Sequence, residues 1–387
     1  MALNGDVESR PSLAAMLAIG VMGNSVIYVM PLLIGAMVTD RGFSEQQAGY
    51  IASADLLGYA VATLAVATLV RRVSWRSICW CGLALMAGAN AITPVVGGFE
   101  AFTAVRLVSG LGGGLLAAVA TVALGCRREP DRGFGALFAA LLLFATAALW
   151  GLPPLIASFG LAGAYGLIAL LALPVAFAVP ILPSGAQTAA VAQSGASRRS
   201  RWLANLVLLS IFLFFAEQNA VWAYAERMGA AAGLSASFIG FALGVATLVS
   251  AVGAGLVAWL GARIRRGLAI ALATLVQVGV FVLLAREFGP SLFLGLLALL
   301  AIAWNVVNPL QLGILSQVDD SGASLALAPA ATGLGLAAGP AIGAAMLAPG
   351  DYGTLLVMCA AVAALSAMLL WSPLGSRNDV PAVDAGR

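Results

Sequence analysis

The chain has 387 residues, 62% of them hydrophobic and only 9% charged, and its mean hydropathy of +1.02 lies far outside the range of soluble domains. All 19 basic residues are arginine, and the absence of lysine and histidine excludes a Schiff-base lysine, a histidine proton relay and a histidine metal site. A net charge of +3, with the arginines in small clusters between apolar runs, fits membrane topology signals and argues against nucleic-acid binding.

A bilayer core about 30 Å thick takes about 20 apolar residues per helix. On that scale the sequence predicts twelve spans: 12–39, 46–70, 75–96, 99–125, 133–157, 161–182, 202–226, 235–260, 266–286, 290–316, 323–348 and 352–372. Short polar joints separate them, except for the Ser-, Ala- and Gly-rich stretch 183–201, which reads as a flexible connector. The expected organisation is therefore an N-terminal six-helix bundle (1–182), a cytoplasmic linker (183–201) and a C-terminal six-helix bundle with a short tail (202–387). Cys79, Cys81, Cys126 and Cys359 lie in or beside apolar segments without zinc-ligand spacing and read as small hydrophobes.

Arginine counting gives the orientation. If both termini are inside, the inner segments hold fifteen arginines: Arg10, Arg71, Arg72, Arg76, Arg127, Arg128, Arg132, Arg198, Arg199, Arg201, Arg263, Arg265, Arg266, Arg377 and Arg387. The outer loops hold only Arg41, Arg227 and Arg286, so both termini are expected in the cytoplasm, with the protein in a bacterial inner (plasma) membrane. The acidic N-terminal region runs into a long span and does not read as a cleaved signal peptide.

The joint after the first span reads GFSEQQAGY (42–50), and the joint after the seventh reads GLSASFIGF (233–241), an offset of 191 residues that also places Arg72 on Arg263. Together with the central linker this points to duplicated halves, which put a substrate site near the midplane between them. Two six-helix halves, a central loop and basic joints after the second and eighth spans resemble the major facilitator superfamily of secondary transporters. That family's joint after the second helix often reads Gly-x-x-x-Asp-Arg-x-Gly-Arg-Arg. Here ATLVRRVSWR (67–76) supplies Arg72 and Arg76, but has Arg71 in place of the acid and Ser74 in place of the second glycine. RLVSGLGGG, from Arg106 to Gly114, is similar to the family's pattern in the fourth helix. A Gly-x-x-x-Gly-Pro-x-x-Gly pattern appears in the eleventh span as GLAAGPAIG, where Gly335, Gly339 and Pro340 read as close helix packing rather than an exporter mark. QAGYIASADLLGYA (47–60) is similar to the YbfB/YjiJ-like branch.

Three charges lie well inside spans, where each costs about 2.5–3.5 kcal/mol on insertion scales: Asp55, Arg106 and Glu217. Arg106 either holds a substrate anion through its fork of N–H donors or pairs with Asp55 as a structural group. Asp55 is read as a proton-coupling group or as half of a permanent ion pair. Glu217, in the polar island EQNAVWAY, reads as a proton-coupling or substrate-contact group, or else as a neutral acid that links helices. Asn24, Tyr28 and Pro31 share a face of the first span, Gln218 and Trp222 a face of the seventh, and Trp304, Asn308 and Gln311 a face of the tenth. Asn219 and Asn305 are adjacent to these faces, and the resemblance implies that these helices line a central cavity.

The expectation is an all-α membrane protein of twelve transmembrane helices with no enzymatic activity, no cofactor and no metal. It would move a small organic solute, including an organic anion, by proton-coupled alternating access, with Asp55 and Glu217 as proton sites. Its partners would be the solute, protons and membrane lipids, with no nucleic acid, and it would work as a monomer. The alternatives are a proton-driven exporter of lipophilic cations and a membrane sensor or scaffold that does not transport.

Overall fold

The computed structural model describes residues 7–70, 72–183, 198–260, 265–319, 324–347 and 351–371. Arg71, Arg263, Arg377, Arg387 and most of the expected linker (184–197) lie outside the described residues. The fold is all-helical, in the order α1 (Arg10–Arg41), α2 (Glu45–Leu69), α3 (Trp75–Ile92), α4 (Phe99–Gly125), α5 (Pro130–Ala176), α6 (Arg198–Ala231), α7 (Ala236–Leu260), α8 (Arg266–Leu284), α9 (Pro290–Val318), α10 (Ala328–Met346) and α11 (Gly353–Leu369). Gly160 breaks α5 with φ 60° and ψ −157°, a conformation open to glycine, so α5 contains two successive limbs and the described residues form twelve α-helical segments. Asp40 at the end of α1 caps the second limb by accepting the backbone N–H of Leu161 at 2.7 Å. Among the described residues nine helical stretches are long and apolar enough to cross a membrane, and the longest of them, 130–181, contains both limbs of α5.

Local chemistry sets the helix ends. Ser44 starts α2 with a capping box, its hydroxyl accepting the Gln47 N–H at 3.1 Å while the Gln47 side chain accepts the Ser44 N–H at 3.0 Å. Gly42 ends α1 in the left-handed region (φ 67°). The repeated joint has the same chemistry: Gly233 has φ 78°, and the Ser235 hydroxyl accepts the Phe238 N–H at 3.3 Å. The duplicated Gly-apolar-Ser pattern therefore encodes one turn used twice.

Helices α1 to α5 form one six-segment bundle and α6 to α11 the other. Lipid is as apolar as leucine, so helices in a membrane associate by close packing, which small side chains allow. A Cβ on Gly58 would strike the Leu107 carbonyl, and one on Gly110 the Asp55 carbonyl, so these two glycines set the α2–α4 crossing. In the second bundle a Cβ on Gly339 would lie 2.6 Å from the Ala216 carbonyl oxygen, and one on Gly335 2.5 Å from that of Phe212. The GLAAGP stretch is thus the close-packed face of α10 on α6, with the Pro340 carbonyl accepting the Tyr224 hydroxyl at 3.4 Å.

The halves meet through α2 with α10 and α5 with α7, joined by α1 with α6. Two of these contacts are related by the repeat. A Cβ on Gly49 would lie 2.9 Å from the Pro340 carbonyl oxygen, and one on Gly240 2.6 Å from the Leu149 carbonyl oxygen. Adding the 191-residue offset to 49 and 149 gives 240 and 340, so exchanging the halves maps one crossing onto the other. The fold is two pseudo-symmetric bundles with a seam between them.

Candidate substrate cavity and its closure

The seam contains a cavity of about 710 Å³ with walls from both halves. Its residues reach the ends of α2 (Ala67) and α4 (Val122) and the start of α10 (Ala328), so it occupies the end of the protein that carries the α2–α3 and α4–α5 joints. From α1 the cavity takes Asn24 and Tyr28; from α6, Gln218, Asn219 and Trp222; from α9, Trp304, Asn305 and Asn308. Three helical faces read from spacing thus converge on one space, with α4 contributing small residues such as Ala117 and Ala118.

Several of these groups are fixed by their own helices. The Asn24 amide donates to the Gly20 carbonyl at 2.8 Å and its oxygen accepts the Tyr59 hydroxyl at 2.9 Å, while the Asn305 amide donates to Ala301 at 3.1 Å. Asn219 donates to the Leu336 carbonyl at 2.7 Å and ties α6 to α10. The Trp304 ring stands edge-on to Phe214 and Phe215, with centroids 6.5 and 5.9 Å away. Gln311 lies outside the lining: although it shares a face of α9 with Trp304, its amide is fully buried and donates to the Ser210 hydroxyl at 3.0 Å, because α6 packs over that part of α9.

The three intramembrane charges do not line the cavity among its described residues. Arg106 is 1% exposed inside the first bundle. Its Nε donates to Asp55 Oδ2 at 2.9 Å, and one terminal nitrogen also bonds Asp55 and reaches Ser109 Oγ at 2.9 Å. The other terminal nitrogen donates to Asn90 Oδ1 at 2.9 Å and Thr93 Oγ1 at 3.4 Å. A guanidinium has five N–H donors, and these five contacts use all of them. The Tyr165 ring covers the group 4.4 Å from its carbon, so the cluster joins α2, α3, α4 and α5.

Glu217 is 1% exposed, one residue behind the cavity wall. Its Oε1 accepts the Gln218 Nε2–H at 3.0 Å, its Oε2 has no hydrogen-bond partner, and its backbone carbonyl accepts the Cys359 thiol at 3.7 Å. Gln218 therefore connects the buried carboxyl to the cavity. Of the joint residues, Arg72 is exposed, while Arg76 donates from Nε to the Leu182 carbonyl at 2.6 Å and pins the start of α3 to the end of the first half.

The opposite end of the seam is closed by a polar cluster that hydropathy does not show. Glu45, the first residue of α2, accepts Arg227 Nε at 3.2 Å and the Tyr352 hydroxyl at 2.8 Å through Oε1, and its carbonyl accepts the Tyr224 hydroxyl at 3.2 Å. Gln46 donates to the Leu347 carbonyl at 3.0 Å. Glu226 lies 3.7 Å from Arg227 and packs where a Cβ on Gly35 of α1 would be. Every one of these bonds from Glu45 or Gln46 crosses from the first half to the second. The sequence offered one signal for the cluster, the charged pair Glu226–Arg227 at the end of a long apolar helix, and nothing that named its partner.

A helical membrane protein of two related bundles with a cavity between them has the architecture of a secondary transporter. The sequence profile of the Major Facilitator Superfamily matches residues 13–318, and the chain belongs to that family of membrane transporters, which are not enzymes. The matched profile is that of the superfamily rather than of a branch within it. Among solved structures, the fold is similar to a mutant of the peptide transporter POT in complex with sulfate, with a TM-score of 0.75, 15% identity, and coverage of 94% of this chain and 95% of that one. The same transporter in complex with alafosfalin gives the same values. No curated protein matches the sequence.

Proposed function

We propose that this protein moves a small organic solute across the membrane by rocking its two bundles about the seam, and that Glu217 couples the movement to a proton. The observation that carries the reading is the two-bundle cavity with a cross-half latch at one end. Opening the cavity's other face requires that the bonds of Glu45 and Gln46, together with the α5–α7 bonds from Trp150 to the Phe241 carbonyl and from Thr146 to the Gly244 carbonyl, give way while the other end closes. With fifteen arginines on inner segments and three outside, the open end faces the cytoplasm, both termini are cytoplasmic, and the latch faces outward.

A carboxylate buried without a cation is far costlier than a neutral acid, so Glu217 carries a proton while it is sealed behind Gln218. Release of that proton would leave Oε2 a charged acceptor in need of a donor, and Gln218, bonded to Oε1, would transmit the change to the cavity. Asp55 already faces a cation, so its role is structural. An organic anion would need the Arg106 guanidinium to leave five partners, which counts against the anion reading. An exporter of lipophilic cations would need an acid on the cavity surface, and the described lining has none.

The test is proteoliposomes loaded with the pH dye pyranine and challenged with candidate solutes. Solute entry should move protons in wild type. Glu217→Gln should still exchange labelled for unlabelled solute yet fail to move protons. Solute flux in wild type without any proton movement would overturn the coupling assignment.

A further inference from the structure

We propose that the solute is an uncharged, amphipathic molecule with at least one hydrogen-bond donor and one acceptor on an aromatic or otherwise flat apolar body. This rests on the transporter reading above and specifies its substrate class. The first observation is electrostatic. Among the described lining residues there is no aspartate, glutamate or arginine, and the chain has no lysine or histidine. Of the acids buried inside the helices, Asp55 is paired with Arg106, and Glu217 lies behind Gln218, whose amide donates to its Oε1. A charged solute would leave water for a site with no countercharge, and a small number of neutral dipoles does not replace its hydration. An uncharged solute meets no such barrier.

The second observation is which wall groups have unfilled hydrogen-bonding capacity. Several polar side chains of the wall are spoken for by their own helix backbone, as with Thr63, Thr121 and Thr247, whose hydroxyls donate to the carbonyls of Ala60, Ala117 and Leu243. Tyr28, Trp222, Trp304 and Asn308 are half-buried on the wall, and no partner for their polar atoms occurs among the described residues. The Oε1 of Gln218 is buried at the same wall and is unpartnered. Two indole N–H groups and a phenol can donate, while the Asn308 amide and Gln218 can accept. This set suits a ligand with both kinds of group and no net charge. The rings of Tyr28, Trp222 and Trp304 supply flat apolar surface, and about 710 Å³ is the size of a site for a molecule of drug-like dimensions.

The test uses matched triples that differ only in charge: indole-3-acetate, indole-3-acetamide and tryptamine, with the corresponding phenyl and naphthyl sets. Binding to the purified full chain is followed by thermal stabilisation and tryptophan quenching at pH 7. Within each set the neutral amide should bind at least tenfold more tightly than the acid or the amine. Trp304→Phe and Asn308→Leu should each weaken amide binding about tenfold, the loss of one net hydrogen bond. If a charged member binds as tightly as its amide, or if no amide in any set binds, the substrate class is wrong. Liposome flux separates this from the parent reading. Charged compounds that are transported would refute the class alone, whereas amides that bind and are never transported would refute transport alone.

Discussion

Removing Arg106 should destabilise the protein without touching its ligand site, and the structure sets the size of the effect. The Arg106→Gln substitution leaves Asp55, 5% exposed, in the bundle interior with no cation. Removing one partner of a buried ion pair costs about 3–5 kcal/mol. Hydrogen bonds to Asn90, Ser109 and Thr93 are weakened as well, at about 0.6 kcal/mol each inside a membrane. The single variant should therefore lose about 5–7 kcal/mol. Asp55→Asn should lose a comparable amount, because it strands the guanidinium. The double variant replaces both charges with amides that can still bond one another and should lose only about 2 kcal/mol, so the coupling energy is large and favourable. Reversible unfolding in mixed micelles with increasing dodecyl sulfate, followed by tryptophan fluorescence, measures all four corners of this cycle. A single variant that loses less than about 1 kcal/mol, or a double variant as unstable as the sum of the singles, would refute the ion-pair account. Loss of solute binding at unchanged stability would return Arg106 to the role of anion anchor.

The remaining predictions concern the contacts of Glu45 and Arg227, the seam and Glu217. Arg227→Gln removes the cation that Glu45 and Glu226 share, and should shift the population about tenfold, or 1.4 kcal/mol, towards outward opening; spin labels on the exposed residues Thr39 and Ser237 should then show a longer distance component, and an unchanged distribution would dismiss the latch. Gly49→Ala and Gly240→Ala each place a methyl against a carbonyl at the seam and should each lower the unfolding free energy by about 1–3 kcal/mol, with similar losses because the sites are related by the repeat. If only one of them is sensitive, the two crossings are not equivalent. Glu217→Gln keeps the shape and the acceptor for Gln218, so stability should change by less than about 1 kcal/mol. Glu217→Leu leaves the Gln218 amide without its partner, and thermal unfolding should show a loss of about 1–3 kcal/mol.

Composition and period were enough to determine the twelve segments, because a helix must satisfy its own backbone in lipid and needs about 20 apolar residues to cross. Gly42 with Ser44 and Gly233 with Ser235 were legible as a repeat because capping is local chemistry, confined to a few residues. The polar faces of α1, α6 and α9 were legible for a similar reason: periodicity places side chains on a helix face, and a polar face in a membrane has to turn towards protein or water.

What only the tertiary structure decided is which face meets which. Spacing could not tell whether Gln311 opens on the cavity as Trp304 does or meets Ser210 on α6, since the two share a face of α9 and only the packing of α6 along it separates them. It could not tell whether Arg106 is free, because four of its partners, Asp55, Asn90, Thr93 and Tyr165, lie on other segments of the chain and meet it only when the bundle closes. The latch was the least legible part. Glu45, Arg227 and Tyr352 are each unremarkable helix-end residues, separated by well over a hundred positions, and their attraction exists only between two halves already docked. Hydropathy is a sum along one chain segment, whereas a gate and a binding site are relations between segments, set by packing.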